Sequence, residues 1–209
     1  MGRFFAIVAL STVVVACSST STAATPSPSP SPHTTVGAAL LQQSEVPTAL
    51  AACPGSGPIA GYLSNLQTAD PTLASRITEQ WQQLRTLGAV DAAISLYAAD
   101  PTACTAEMAV NAKTKAAANF VAVFADAGQA ERAWGAGIFG FVPPAFDQIT
   151  PGLLRGTGTG LGASSWTYNR PPVLIACWRR SVFVSLLVLT NLDAATFKSV
   201  TSAIDARLN

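Results

Sequence analysis

The chain has 209 residues, of which 49% are apolar and 11% are charged, and its formal net charge is +1. Without Arg3, whose segment is expected to be removed, 11 Lys and Arg face 11 Asp and Glu. Nucleic-acid binding requires a basic surface, and an electrostatic hold on anionic lipids requires clustered cations. The balanced charge excludes both.

The first segment, residues 1–16, is predicted to be a signal peptide. Arg3 supplies a positive charge, and residues 4–16 are uncharged and almost wholly apolar. Thirteen such residues match a signal-peptide core but fall short of the roughly 20 that a transmembrane helix needs. A buried core helix and an ordinary cleaved signal are the alternatives.

The signal core ends in Val14-Val15-Ala16-Cys17, which resembles the lipobox of bacterial lipoproteins, with Val14 where leucine is usual. The resemblance implies that Cys17 carries a diacylglycerol and becomes the new N-terminus. Two or three acyl chains, such as palmitate, anchor a protein stably where one does not. The mature protein is therefore expected on the extracytoplasmic face of the cell membrane, held there by lipid.

Residues 17–36 are predicted to be the lipidated cysteine and a disordered tether. After Cys17 the segment is dominated by Ser, Thr, Ala and Pro, with a Pro-Ser repeat over 26–32. Such a composition buries too little apolar surface to fold, and alternating proline favours extended polyproline II. A ligand for a proline-binding module is the alternative interpretation.

Residues 37–209 are predicted to form a single domain, because their number suits one hydrophobic core. Asp70-Pro71 is typical of a helix start, with Asp as N-cap and Pro at N1, and Gly88 suits the position after its end. Further helices are expected from Asp126 to about Gly137 and after Asp193. A short helix is expected within 37–51.

Strands are expected between these helices. The candidate segments are 92–98, 108–112, 120–124 and a hairpin of 173–178 and 182–189 that turns at Arg179-Arg180. The second arm of the hairpin is apolar at every position but one, so we expect it to be central and covered on both sides. The predicted fold class is α+β, an antiparallel sheet covered by helices.

The order of these segments carries a resemblance. A helix comes first, followed by a strand that ends in Tyr97. The next strand, residues 120–124, leads into the segment Asp126-Ala127-Gly128-Gln129-Ala130. The hairpin is preceded by the segment Gly160-Leu161-Gly162-Ala163-Ser164-Ser165. This layout resembles small exported bacterial envelope lipoproteins and is similar to PsbP-like domains and to sensor domains of some bacterial Ser/Thr kinases. The resemblance implies a non-enzymatic role in assembly, sensing or binding, and it implies no site residues.

Several catalytic arrangements are excluded by residue type. The single histidine, His33, lies in the expected tether, so a histidine-based triad or dyad in the domain is impossible. Neither G-x-S-x-G nor S-x-x-K occurs, and metal ligation by His or clustered Cys is not expected. The glycine-rich stretch 156–162 fits neither nucleotide-binding motif. We therefore expect no cofactor and no metal.

Two hypotheses of function remain. The first is a lipid-anchored, non-catalytic domain that binds a ligand or a partner protein at the cell envelope. The second is a cell-surface hydrolase that uses a carboxylate pair, with candidates Glu107, Asp126, Glu131 and Asp147, as glycosidases do. The absence of nucleophile motifs favours the first hypothesis.

Alternation places Trp166, Tyr168 and Arg170 on one face of a predicted strand. Aromatic residues beside an arginine can stack on a planar or sugar-like ligand, so these three residues form a candidate binding surface. The same pattern also suits two core aromatics followed by an arginine that reaches the solvent.

Three cysteines remain in the domain, Cys53, Cys104 and Cys177. Exported cysteines are usually paired, and an odd number leaves one thiol over. Cys177 lies within an apolar strand, whereas Cys53 and Cys104 lie near turns where geometry can adjust. We predict a Cys53–Cys104 disulfide, with Cys53–Cys177 and Cys104–Cys177 as the alternatives.

Replacement of the lipobox cysteine tests the anchor. We expect Cys17→Ala to release the protein from membranes or to block its processing, because this cysteine supplies the sulfur that the acyl chains need. Membrane fractionation and N-terminal sequencing measure both outcomes. A variant that is still membrane-bound and cut at the same site would contradict the lipoprotein assignment.

Overall fold

The structure, a computed structural model, describes residues 34–105, 108 and 113–208. Within them, five α-helices and eight β-strands follow one another along the chain. The helices are α1 (Val36–Ala39), α2 (Ile59–Ala69), α3 (Pro71–Thr86), α4 (Ala127–Ala136) and α5 (Ala194–Arg207). The strands are β1 (Ala51–Ala52), β2 (Gly57–Pro58), β3 (Ala89–Ala98), β4 (Ala116–Phe124), β5 (Leu153–Arg155), β6 (Ser165–Arg170), β7 (Val173–Arg180) and β8 (Phe183–Thr190).

All eight strands belong to one antiparallel sheet in the order β1-β3-β4-β8-β7-β6-β5, with β2 also paired to β3. The central strands β4 and β8 are buried along their whole length. Long apolar runs of this kind are stable only with both faces of the sheet covered. The predicted α+β class and the central place of the second hairpin arm are confirmed.

Helices cover the sheet on both sides and create two cores. On the front face, α2, α3 and α4 pack on a cluster that includes Ile94, Phe120 and Leu186. On the back face, α1 and α5 pack on a cluster that includes Leu187 and Trp178. Alternate side chains of the same strands enter opposite cores, as the two-residue period of a strand requires.

Aspartate caps begin three of the helices, as predicted. The carboxylates of Asp70, Asp126 and Asp193 each accept a hydrogen bond from the backbone N–H three residues later, at 2.7–2.9 Å. Gly88 follows the end of α3 with a φ of +102°, and Gly137 follows α4 with a φ of +96°. Glycine reaches these angles without strain.

The N-terminal boundary of the folded domain differs from the prediction by two residues. Thr35 is the N-cap of α1, and Val36 is buried in the back core. Both were assigned to the tether, because nothing in a Thr-rich sequence distinguishes a capping threonine from a solvated one. Residues 1–33, with the expected signal peptide, the lipobox and His33, lie outside the described residues.

Two local predictions about strands need correction or stay untested. The hairpin of β7 and β8 turns at Ser181 and Val182, not at Arg179-Arg180: Arg180 still pairs with Phe183, and Ser181 has a φ of +51°. The expected strand over 108–112 lies mostly outside the described residues. Met108 itself is buried and belongs to no strand.

A disulfide joins Cys53 and Cys104, whose Cα atoms are 5.5 Å apart, and Cys177 is free and buried. The predicted pairing is confirmed. The bond closes a loop of 51 residues, which stabilises the fold by about 4 kcal/mol in the chain-entropy model. Burial raises the pKa of the Cys177 thiol far above its usual value, so Cys177 serves as an inert core residue.

A buried asparagine connects the N-terminal segment to the centre of the sheet. Asn119 accepts a hydrogen bond from the N–H of Leu41 at 3.0 Å and donates to Ser185 Oγ at 3.0 Å and to the Leu186 carbonyl at 3.1 Å. The Tyr97 hydroxyl donates to the Leu41 carbonyl at 3.0 Å. Burial, and then the charge of Glu45, raise the pKa of Tyr97, which keeps this hydroxyl protonated as a donor.

Loss of the asparagine amide tests its importance. We expect Asn119→Ala to lower the free energy of unfolding by about 2–3 kcal/mol, because the N–H of Leu41 is left buried without a partner. Tyr97→Phe, which removes one bond, is expected to cost about 1 kcal/mol. Urea unfolding measures both, and a loss for Asn119→Ala no larger than that of the exposed control Ser202→Ala would contradict the role.

Candidate functional site

The structure divides the predicted binding residues of β6 between core and surface. Trp166, Tyr168 and Arg170 do share the front face, but Trp166 is buried in the front core, Tyr168 is half-buried and Arg170 is exposed. No ligand can stack on Trp166 while the core is closed. The expected stacking surface is therefore corrected to Tyr168 and Arg170, since alternation alone does not show which residues of the strand the front core buries.

Three of the four candidate carboxylates are described, and two have structural partners. Asp126 caps α4, and Glu131 accepts hydrogen bonds from Ser164 and Arg179. Asp147 is exposed in the segment between α4 and β5, and Glu107 lies outside the described residues. Among the described residues, no group of three or more His, Cys, Asp and Glu side chains is placed to hold a metal ion.

The two arginines at the end of β7 are structural. Arg179 forms an ion pair with Glu131 of α4, and Arg180 forms a two-pronged pair with Asp205 of α5 at 2.6 and 2.7 Å. Each therefore joins the sheet to a helix on a different face. The hydrogen bond to Asp205, rather than the charge alone, raises the pKa of Arg180.

A cleft of about 340 Å³ lies between α3 and the turn that follows α4. Its polar rim includes Arg76 and Glu79, and its apolar floor includes the buried Leu84 and Phe139. The opposite charges of Arg76 and Glu79 leave the rim without a net preference for anions or cations.

Most of the exposed large apolar side chains in the described part of the chain lie in or next to residues 142–152, between α4 and β5, which we call the apolar loop. Phe146 and Ile149 are fully exposed, at 101% and 97%, and Val142 is 56% exposed. Leu154, two residues beyond the loop, is 53% exposed. Large apolar side chains that cluster on a surface mark sites of interaction.

Hydrogen bonds hold the apolar loop in shape. Gln148 donates its N–H to the Ala145 carbonyl at 3.0 Å, and Arg155 donates from Nη2 to the Gln148 carbonyl at 3.1 Å. Asn169 donates its N–H to the Gly152 carbonyl at 2.8 Å, which joins the base of the loop to β6. A side chain at Gly152 would place its Cβ 2.6 Å from the Asn169 carbonyl oxygen, so the base requires glycine.

Sequence reasoning missed the apolar loop, although a signal for it is present. From Ala136 to Leu154 the sequence contains a single charged residue, Asp147, and yet its three prolines prevent a regular helix or strand. An apolar segment that cannot form a strand or a helix is either buried in the core or exposed on the surface. Only the structure distinguishes them.

No family model, curated protein or solved structure matches this chain. The resemblance to exported lipoproteins, PsbP-like domains and kinase sensor domains therefore stays a prediction. Among the described residues, no helix is both long enough and apolar enough to cross a membrane.

If the apolar loop serves interaction, its tip should contribute nothing to folding. We expect the double variant Phe146→Ser/Ile149→Ser to keep its free energy of unfolding within about 0.5 kcal/mol, because both side chains are fully exposed. The comparison variant Leu186→Ala, at a buried position of the front core, should lose about 2–5 kcal/mol. Urea unfolding that shows a clear loss for the double variant would mean that the loop packs on the domain.

Proposed function

We propose that the protein is a lipid-anchored, extracytoplasmic domain that acts by binding at the cell envelope rather than by catalysis, and that the apolar loop is its contact surface. The exposure of Phe146 and Ile149 carries this proposal. Both faces of the sheet are already covered by helices, so neither side chain completes a core. Burying a large apolar side chain contributes about 1.5–3 kcal/mol, which is available to a binding partner.

The location rests on the sequence and on one structural feature. The segment before Cys17 resembles a lipoprotein signal, and the Cys53–Cys104 disulfide suits an oxidising compartment outside the cytoplasm. The thiol that cannot pair, Cys177, is hidden in the front core. These observations support a domain that is exported and then retained at the membrane by lipid.

The hydrolase hypothesis has less support. A glycosidase-type mechanism needs two carboxyl groups about 5–10 Å apart across a substrate. Asp126 is occupied as a helix cap and Glu131 pairs with Arg179. Asp147 lies exposed in the apolar loop and does not line the cleft between α3 and the turn that follows α4.

Cysteine labelling in the cell envelope tests the contact surface. Ala145 is exposed in the apolar loop, so Ala145→Cys provides a reactive thiol there, while the native Cys177 is buried. We expect a maleimide to label this thiol several-fold more slowly in the envelope than in the purified chain, because the partner covers the loop. Ser202→Cys, exposed on α5, is the matched control and should label equally in both settings.

A second variant shows whether the protection depends on the apolar tip. Adding Phe146→Ser/Ile149→Ser to Ala145→Cys should restore fast labelling in the envelope. Equal labelling rates for Ala145→Cys in the envelope and in the purified chain would contradict the proposed contact surface.

A further inference from the structure

We propose that the partner of the apolar loop is the membrane bilayer itself: the tip at Phe146 and Ile149 inserts into the lipid surface that carries the anchor. This inference rests on the proposed function, because it names the partner of the same surface.

The shape of the tip favours a bilayer over a protein. Phe146 and Ile149 are as exposed as side chains in an extended peptide, so the tip projects outward and does not line a groove. A protein partner would need a matching pocket, since tight protein interfaces are closely packed. A fluid bilayer accommodates a projecting tip of any shape.

The backbone of the loop suits shallow insertion, in which the side chains enter the lipid and the peptide groups stay among the polar headgroups, because the N–H groups of Phe146 and Ile149 have no backbone partner among the described residues. Peptide groups that enter a bilayer must have hydrogen-bond partners within the protein, because hydrocarbon offers none. At the tip, the Gln148 N–H is bound by the Ala145 carbonyl, and the Gln148 carbonyl accepts from Arg155. Leu153 closes the next turn by donating its N–H to the Thr150 carbonyl at 3.1 Å.

The charges around the tip allow shallow insertion. Asp147 is the one charged residue between 136 and 154, and Arg170 is exposed beside the loop base, next to the Asn169 that binds Gly152. Arg155, which donates into the tip, adds a second positive charge, so two positive charges and one negative charge lie near the inserted surface. Apolar contact drives the binding, and the single excess positive charge adds only a small attraction to anionic headgroups, so the binding strength should depend weakly on salt.

The expected anchor makes weak insertion sufficient. The lipid anchor and tether expected from the sequence would keep the loop near the bilayer at an effective concentration on the order of millimolar, so weak insertion of two side chains is sufficient.

Vesicle binding by the chain without its anchor tests the proposal. We would use the mature chain with Cys17→Ser and Ala145→Cys, carrying an environment-sensitive nitrobenzoxadiazole dye at position 145, and vesicles of phosphatidylethanolamine and phosphatidylglycerol. We expect a blue-shifted, brighter emission as lipid is added, reduced only slightly at high salt. The same dye at Ser202→Cys should not respond.

Two variants identify the inserted side chains. Phe146→Ser/Ile149→Ser should weaken vesicle binding by at least about tenfold, because two large apolar groups no longer enter the lipid. Val90→Ser removes another exposed apolar side chain, 53% exposed on β3, and should leave binding unchanged. Equal loss with Val90→Ser would overturn the assignment to the loop.

The vesicle and labelling experiments separate the two proposals. No response to vesicles at millimolar lipid, the effective concentration that the anchor would provide, would overturn insertion into the bilayer. If Ala145→Cys were nevertheless protected in the envelope, the contact surface would stand and its partner would be a protein. If protection were also missing, both the bilayer partner and the proposed contact surface would be wrong.

Discussion

The fold depends on one constraint: β4 and β8 are apolar on both faces, so neither face of the sheet can meet water. A helical layer is therefore required on each side, and the back layer has to be built from the two ends of the domain, α1 and α5. Asn119 allows an irregular N-terminal segment to pack on this apolar surface. It satisfies the Leu41 N–H inside the core, where water cannot.

Because helices cover both faces of the central strands, the exposure of the apolar loop can be interpreted. In a domain with an open face, exposed side chains such as Phe146 and Ile149 could belong to a core left unfinished. Here the front core is closed by α2, α3 and α4, and the loop departs from the end of α4 with its own hydrogen bonds. Its exposure is thus a property of the native fold, and natural proteins retain such patches for interaction.

The sequence predicted those parts of the fold that depend on neighbouring residues, such as helix starts and turns. The aspartate caps located α3, α4 and α5, and turn residues pointed to the Cys53–Cys104 pair. Helix α2 was missed because it begins after Pro58 without a side-chain cap. The sequence places Arg179 and Arg180 in a turn because it does not show their ion-pair partners, which are distant along the chain. It suggests that Trp166 is accessible because the residues that bury Trp166 are also distant along the chain.

The attachment of α1 has a mechanical consequence. If the chain is anchored by lipid as proposed, a pull from the membrane enters the described fold through α1 and the segment after it. That segment is held by the side chains of Asn119 and Tyr97 in the sheet, and by Arg207 at the end of α5, which pairs with Glu45 and donates to the Leu40 carbonyl. Tension applied at this end of the domain would therefore be shared between the middle of the sheet and the last helix, which together resist separation of the N-terminal segment from the domain.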